Sequence, residues 1–214
     1  MTFNDIISAW QQRTQQDSPL KMAEICIQSI QLLAEGKPVS AEQLAKASQI
    51  PLAGITDSLS QLNQCGCEFD LQGNLVGAVL TLKPTPHQFQ VNGHQLFAWC
   101  ALDTLFLPAL LQQPAQVEST CPATGAKIQL TVTPEGIATV DPSETVLSIV
   151  IPGVTPNCEV GAKSGPHGPV CSTMHFFSSP EATSSWLVAH PGVTILSVDE
   201  AWQLAYQVWI KPYL

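Results

Sequence analysis

Apolar residues recur at helical spacing in three short stretches near the start of the chain: Leu20 to Glu35, closed by Gly36-Lys37-Pro38; Ser40 to Ser48, with Ser40 as N-cap; and Pro51 to Leu62, with proline at the helix start. The period then shortens to that of strands. Glu68-Phe69-Asp70 turns through Gln72-Gly73-Asn74 into Leu75 to Leu82, and Gln88 to Val91 turns at Asn92-Gly93. Three helices followed by a β-ribbon make the pattern of a winged helix-turn-helix, which either binds nucleic acid or serves as a packing module.

Leu96 to Leu111 is a nearly unbroken apolar run that predicts a buried helix, although Asp103 and Pro108 lie inside it. It falls short of the ~20 residues that span a bilayer. Strand patterns follow at Ala115 to Ser119, Lys127 to Val132 and Val146 to Ile151. Pro152 to Pro169, rich in Gly, Pro and small polar residues, predicts a long irregular loop of the kind that covers a site. A strand at Val170 to Phe177, a helix at Pro180 to His190, a strand at Val193 to Val198 and a closing helix at Asp199 to Trp209 complete the chain. The expected class is α+β: a winged-helix-like unit over residues 1–93, then a mixed, mainly antiparallel sheet domain with helices over 94–214.

Composition narrows function more than fold. Hydrophobic residues make up 45% and charged residues 12% of the 214 positions, a balance that suits a folded chain and argues against disorder. The formal net charge is −9, and the eight Lys and Arg form no cluster. Phosphate binding needs grouped cations, so nucleic acid and anionic membrane surfaces are disfavoured as partners, and the winged unit is taken as a packing module. Met1 to Asp17 has no basic segment followed by an apolar one, so a cytoplasmic protein is expected. Seven cysteines without an export signal then point to free thiols rather than disulfides.

Such thiols are buried small apolar groups, soft metal ligands or nucleophiles, and position decides which. Phe97-Ala98-Trp99-Cys100-Ala101-Leu102-Asp103 is the most informative stretch. Positions three apart on a helix are neighbours, so Cys100 and Asp103 would share a face. Asp103 is the only charged residue between Lys83 and Glu118, and burial would raise its pKa and suit it to carry a proton. Alternatively, Asp103 caps a neighbouring segment and Cys100 fills the core; spacing alone does not choose.

Cys171, at the expected strand start after the loop, is a candidate second thiol or an ordinary buried cysteine. Two converging thiolates would favour a soft cation such as Hg(II), Cu(I) or Zn(II). His175 would share the strand face of Cys171, as part of a zinc site or, in preference, as a satisfied core residue. Cys121 opens the tight turn Cys121-Pro122-Ala123-Thr124-Gly125 and is assigned a structural role. Cys26, Cys65 and Cys67 are assigned no catalytic role, and Cys158 lies in the loop, where it could relay metal.

Taken together, these residues resemble the organomercurial (alkylmercury) lyases. The block Leu96 to Leu111 is similar to that family's active-site helix. It is joined by Gly36-Lys37-Pro38-Val39-Ser40, by Val117-Glu118-Ser119 with Cys121 through Ala126, and by Cys171 four residues before His175-Phe176-Phe177. The resemblance covers about Leu32 to Glu200. It implies protonolysis of the carbon–mercury bond of alkyl- and arylmercury compounds to a hydrocarbon and Hg(II), in mercury detoxification. It places the catalytic and mercury-binding roles on Cys100, Asp103 and Cys171, and a structural role on Cys121.

By the same resemblance no organic cofactor is needed, and small thiols or a mercuric reductase would accept the Hg(II). Ser172 stands where some relatives carry a further cysteine, and the loop before Cys171 is longer, which bears on substrate preference. Trp99 and Phe176 would suit an apolar organic group; Phe97 and Phe106 are better read as core. Two other classes compete: a metallochaperone that uses the same cysteines without turnover, and a metal-sensing winged-helix regulator, which the sparse basic residues disfavour.

Overall fold

The computed structural model describes residues 1–17, 20–64, 66–154 and 168–213. Cys65, Cys158 and most of the predicted 152–169 loop lie outside the described residues.

Helix α1 (Phe3–Asp17) has no counterpart in the predicted pattern, because its second half is polar. Its anchor is two apolar residues four apart, Ile6 and Trp10, both buried, and the Trp10 indole donates to the Val150 carbonyl at 3.1 Å. Helices α2 (Leu20–Leu33), α3 (Ala41–Ser48) and α4 (Leu52–Gln64) match the three predicted stretches. Ser40 caps α3 reciprocally: its hydroxyl accepts from Gln43 N–H, and the Gln43 side chain accepts from Ser40 N–H at 2.8 Å.

Eight strands then build one antiparallel sheet: β1 (Glu68–Phe69), β2 (Leu75–Ala78), β3 (Leu80–Thr81), β4 (His87–Val91), β5 (His94–Ala98), β6 (Ala115–Thr120), β7 (Lys127–Thr133) and β8 (Gly136–Asp141). Their order is β1-β2-β3-β5-β4-β6-β7-β8. Alternation sets the register, with His87, Phe89 and Val91 buried and Gln88 and Gln90 exposed between them. Residues 93 and 94 fall in the β4–β5 hairpin, so the sheet runs unbroken from the N-terminal ribbon to β8. β8 escapes the sequence pattern because its side chains do not alternate between buried and exposed.

Helix α5 (Ala101–Leu111) begins later than the apolar run predicts. Leu96 to Ala98 belong to β5, and Cys100 is extended, with φ −145° and ψ 172°. The run hides the switch because the inner half of β5 and nearly all of α5 are buried, leaving no polar residue between Leu96 and Leu102 to mark the change of period. A second antiparallel sheet has the order β10-β9-β11, from β9 (Val146–Val150), β10 (Phe176–Phe177) and β11 (Val193–Ser197). The strand expected from Val170 is thus confined to Phe176–Phe177. Cys171–Thr173 instead forms a single 3-10 turn, held by Ser172 N–H to the Gly168 carbonyl at 2.9 Å. Helices α6 (Ser184–Ala189) and α7 (Val198–Ala205) close the fold.

The class is the expected one, α+β with antiparallel pairing in both sheets. No helix among the described residues is long and apolar enough to cross a membrane.

Candidate active site

The first consequence of the β5–α5 junction is the placement of Cys100 as N-cap and Asp103 as third residue of α5. They meet through a capping box rather than across one helical face. The Asp103 carboxylate accepts from Cys100 N–H at 2.9 Å, and the Cys100 sulfur faces the Asp103 N–H. Asp103 therefore does cap a segment, its own helix, and reaches the thiol as it does so. The first helical N–H, that of Ala101, is given to the Met174 carbonyl at 3.1 Å, which draws the Cys171 turn against the start of α5.

Three ligand atoms converge as a result. The Cys100 and Cys171 sulfurs and an Asp103 oxygen all lie within 4.8 Å of one another, and all three residues are buried. Among the described residues this is the one cluster of three or more Cys, His, Asp or Glu side chains able to hold a metal ion. His175 does not join it, and neither do Cys26, Cys67 and Cys121.

Burial governs the proton balance in this cluster. It pushes the Asp103 carboxyl up to about 7, against the opposing hydrogen bonds from the Cys100 thiol and N–H. Burial also raises the Cys100 thiol well above its ordinary range, helped by its hydrogen bond with Cys171 and by the Asp103 charge; the Asp103 N–H opposes. The start of α5 points its positive end at both groups and favours whichever carries the anion. The Cys100 thiol accordingly holds its proton at rest, and a soft cation that replaces that proton frees it next to a carboxyl poised near neutrality.

The backbone before Cys100 is fixed from the far edge of the sheet. Trp99 N–H donates to the carbonyl of Val79, which sits at φ +66°, a strained conformation for a β-branched residue. The Trp99 indole donates to Glu68 Oε2 at 3.0 Å, and the same oxygen accepts from the Thr81 hydroxyl at 2.6 Å. A Cβ on Gly77 would overlap that carboxylate, so glycine leaves the room Glu68 occupies. The sequence does not single out Glu68; the one available signal is its place at the strand end facing a glycine in the neighbouring strand.

A family model described as alkylmercury lyase matches residues 80–209. The alkylmercury lyase of Streptomyces lividans is 42% identical over 175 residues, covering 82% of this chain and 77% of its own. That of Bacillus cereus is 43% identical over 175 residues, covering 82% and 76%, and that of Pseudomonas putida is 37% identical over 190, covering 89% and 85%. The chain belongs to the alkylmercury lyase family. Its fold is shared with the crystal structure of the mercury-bound form of MerB2, with a TM-score of 0.76 at 24% identity over 96% of this chain and 98% of that one.

Among the described residues, Cys26, Cys67 and Cys121 of this lyase stand apart from the cluster. Cys121 is buried in its turn and accepts a weak hydrogen bond from the Ser178 hydroxyl at 3.8 Å. Burial opposes its ionisation, but hydrogen bonds from Thr124 and from the backbone of Ser178 and Ala123 prevail and bring the thiol down to about 7. Trp99 and Phe176 are both buried, and Phe106 stacks on Trp209 within the core, with ring centroids 5.7 Å apart.

Proposed function

We propose that this lyase cleaves the carbon–mercury bond of alkyl- and arylmercury compounds by protonolysis, with Cys100, Cys171 and Asp103 as its catalytic and mercury-binding residues. One observation carries the assignment: two thiols and a carboxyl raised to about 7 lie within 4.8 Å of one another in a buried site. The Asp103 carboxylate takes the proton of one thiol as its sulfur bonds to the mercury of R–Hg⁺. The second sulfur bonds next, and its proton leaves to solvent or to a small thiolate. Two sulfur donors load electron density onto mercury, the carbon–mercury bond breaks toward carbon, and Asp103 returns its proton there. R–H departs and Hg(II) remains on Cys100 and Cys171, so of the two thiol protons one ends on carbon and the other is released. Soft sulfur suits mercury, and a carboxyl near neutrality suits proton transfer in both directions.

Thiols and a carboxyl supply every step, so the reading calls for no organic cofactor. External small thiols, or the thiols of a mercuric reductase, take Hg(II) away by ligand exchange, which fits a cytoplasmic, thiol-rich setting. An acidic chain without clustered cations fits this role better than one on nucleic acid.

Gas chromatography tests the proposal, with phenylmercury or methylmercury and excess cysteine as the reactants. Wild type is expected to release benzene or methane over many equivalents. Asp103→Ala is expected to lose roughly 10²-fold or more, and Cys100→Ser and Cys171→Ser to fall to background. Mercury binding by the wild type without hydrocarbon release would replace the lyase with a metal carrier.

A further inference from the structure

We propose that His175, together with Ser148, is a positioning residue that holds the Cys171 sulfur where it bonds to mercury, an inference that rests on the reaction proposed above. Cys171 is carried by one 3-10 turn, Cys171–Thr173, after which Met174 is extended. The Thr173 and Met174 N–H groups close the turn onto the Val170 and Cys171 carbonyls at 3.3 Å, while the Ser172 and Thr173 carbonyls are met by side chains from outside it.

Those two side chains are His175 and Ser148. Ser148 is the single polar residue of the wholly buried strand β9. Its hydroxyl donates to the Thr173 carbonyl at 2.7 Å and accepts from His175 N–H at 2.9 Å, so its burial is matched by a clamp on the end of the turn. The His175 ring closes the same turn from its middle, with Nε2 lying 2.9 Å from the Ser172 carbonyl. A carbonyl only accepts, so the ring carries a proton on Nε2 and donates it.

The ring is held in that orientation by its neighbours. It stacks on His87 with centroids 5.7 Å apart and 29° between planes, and meets Trp186 in a T-shaped contact at 5.1 Å and 86°. Trp186 is itself stacked on His190 at 3.9 Å. A ring packed in this way aims its donor at the residue next to Cys171. The atoms of His175 do not enter the thiol–carboxyl cluster, so its part in the chemistry is through Cys171 alone.

The test compares wild type with His175→Ala, His175→Gln and Ser148→Ala. It measures kcat and KM for phenylmercury cleavage with excess cysteine, and retention of one equivalent of Hg(II) against graded cysteine. Both alanine variants are expected to lose about tenfold or more in kcat, with KM changed by less than about twofold. They should also release Hg(II) at a severalfold lower cysteine concentration. Glutamine, whose amide N–H reaches toward the place of Nε2, is expected to recover much of both losses.

Alanine variants that match the wild type in kcat and retention overturn the proposal. So does a glutamine variant as impaired as alanine, which would assign the effect to ring packing. Circular dichroism checks folding; if His175→Ala does not fold, Ser148→Ala and His175→Gln decide. A wild type that releases no hydrocarbon would sink the lyase chemistry, while the retention series would still decide whether His175 places Cys171.

Discussion

Asp103 combines two demands that usually compete. As a capping residue it accepts the Cys100 N–H at 2.9 Å, which favours the carboxylate, yet burial favours the acid and wins, taking the group from 3.8 to about 7. The folded chain therefore holds this proton more tightly than the unfolded chain. Its stabilising contribution is complete below about 3.8 and is lost as pH rises through about 7. Wild-type Tm is expected to fall relative to that of Asp103→Asn between those values, by calorimetry in parallel buffers. Parallel Tm profiles for the two proteins would refute the buried acid. Catalysis should move the opposite way. Free enzyme needs the carboxylate to accept the thiol proton, so kcat/KM is expected to rise with pH through about 7, a step absent from the residual rate of Asp103→Asn.

At the scale of elements, the site depends on junctions: the β5–α5 corner that carries Cys100, and the 3-10 turn that carries Cys171. The corner is braced by Glu68, and its weakest point is Gly77, where a methyl group would overlap the carboxylate and disturb its bonds to Trp99 and Thr81. Gly77→Ala is expected to cost about 2–4 kcal/mol in urea unfolding, combining overpacking with a disturbed, part-buried hydrogen-bond pair. Gly93 is the control, with φ +78° but open space around it. Its replacement by alanine should cost only about 1–2 kcal/mol of left-handed strain. Equal losses at the two sites would mean that the Glu68 cradle is not tight. The same contrast explains what was legible in the sequence. Asp103 stood out because no other charge lies near it, and Ser40 because its capping box is local. Glu68 and Ser148 act on residues distant in the chain, and a lone serine in an apolar strand or one acid among 17 leaves no local signal. The sequence offers Cys171 as a second thiol at a strand start, but the structure puts it in a 3-10 turn, since the segment from Val170 to Phe177 has the composition of a strand while its first half bends to meet α5.

At the scale of the molecule, the two sulfurs belong to different sheets. Cys100 follows the eight-stranded sheet through β5, and Cys171 precedes β10 of the three-stranded one. Across that seam the start of α5 is tied by the Ala101 to Met174 hydrogen bond, and the reaction's product would add a metal cross-link beside it. Hg(II) bridged by both sulfurs would bind the folded chain and close a long loop. Stabilisation follows the ratio of ligand to Kd, reduced by whatever the cysteines of the unfolded chain bind. One equivalent of Hg(II) is expected to raise wild-type Tm by at least about 4 °C, since 2 kcal/mol moves a domain of this length by roughly that much. Cys100→Ser and Cys171→Ser keep one sulfur at the seam and nearly all the competing thiols in the unfolded state, so their Tm should rise little or fall. Both single variants gaining as much as the wild type would place the metal on other cysteines, and the seam would then not be where Hg(II) is held.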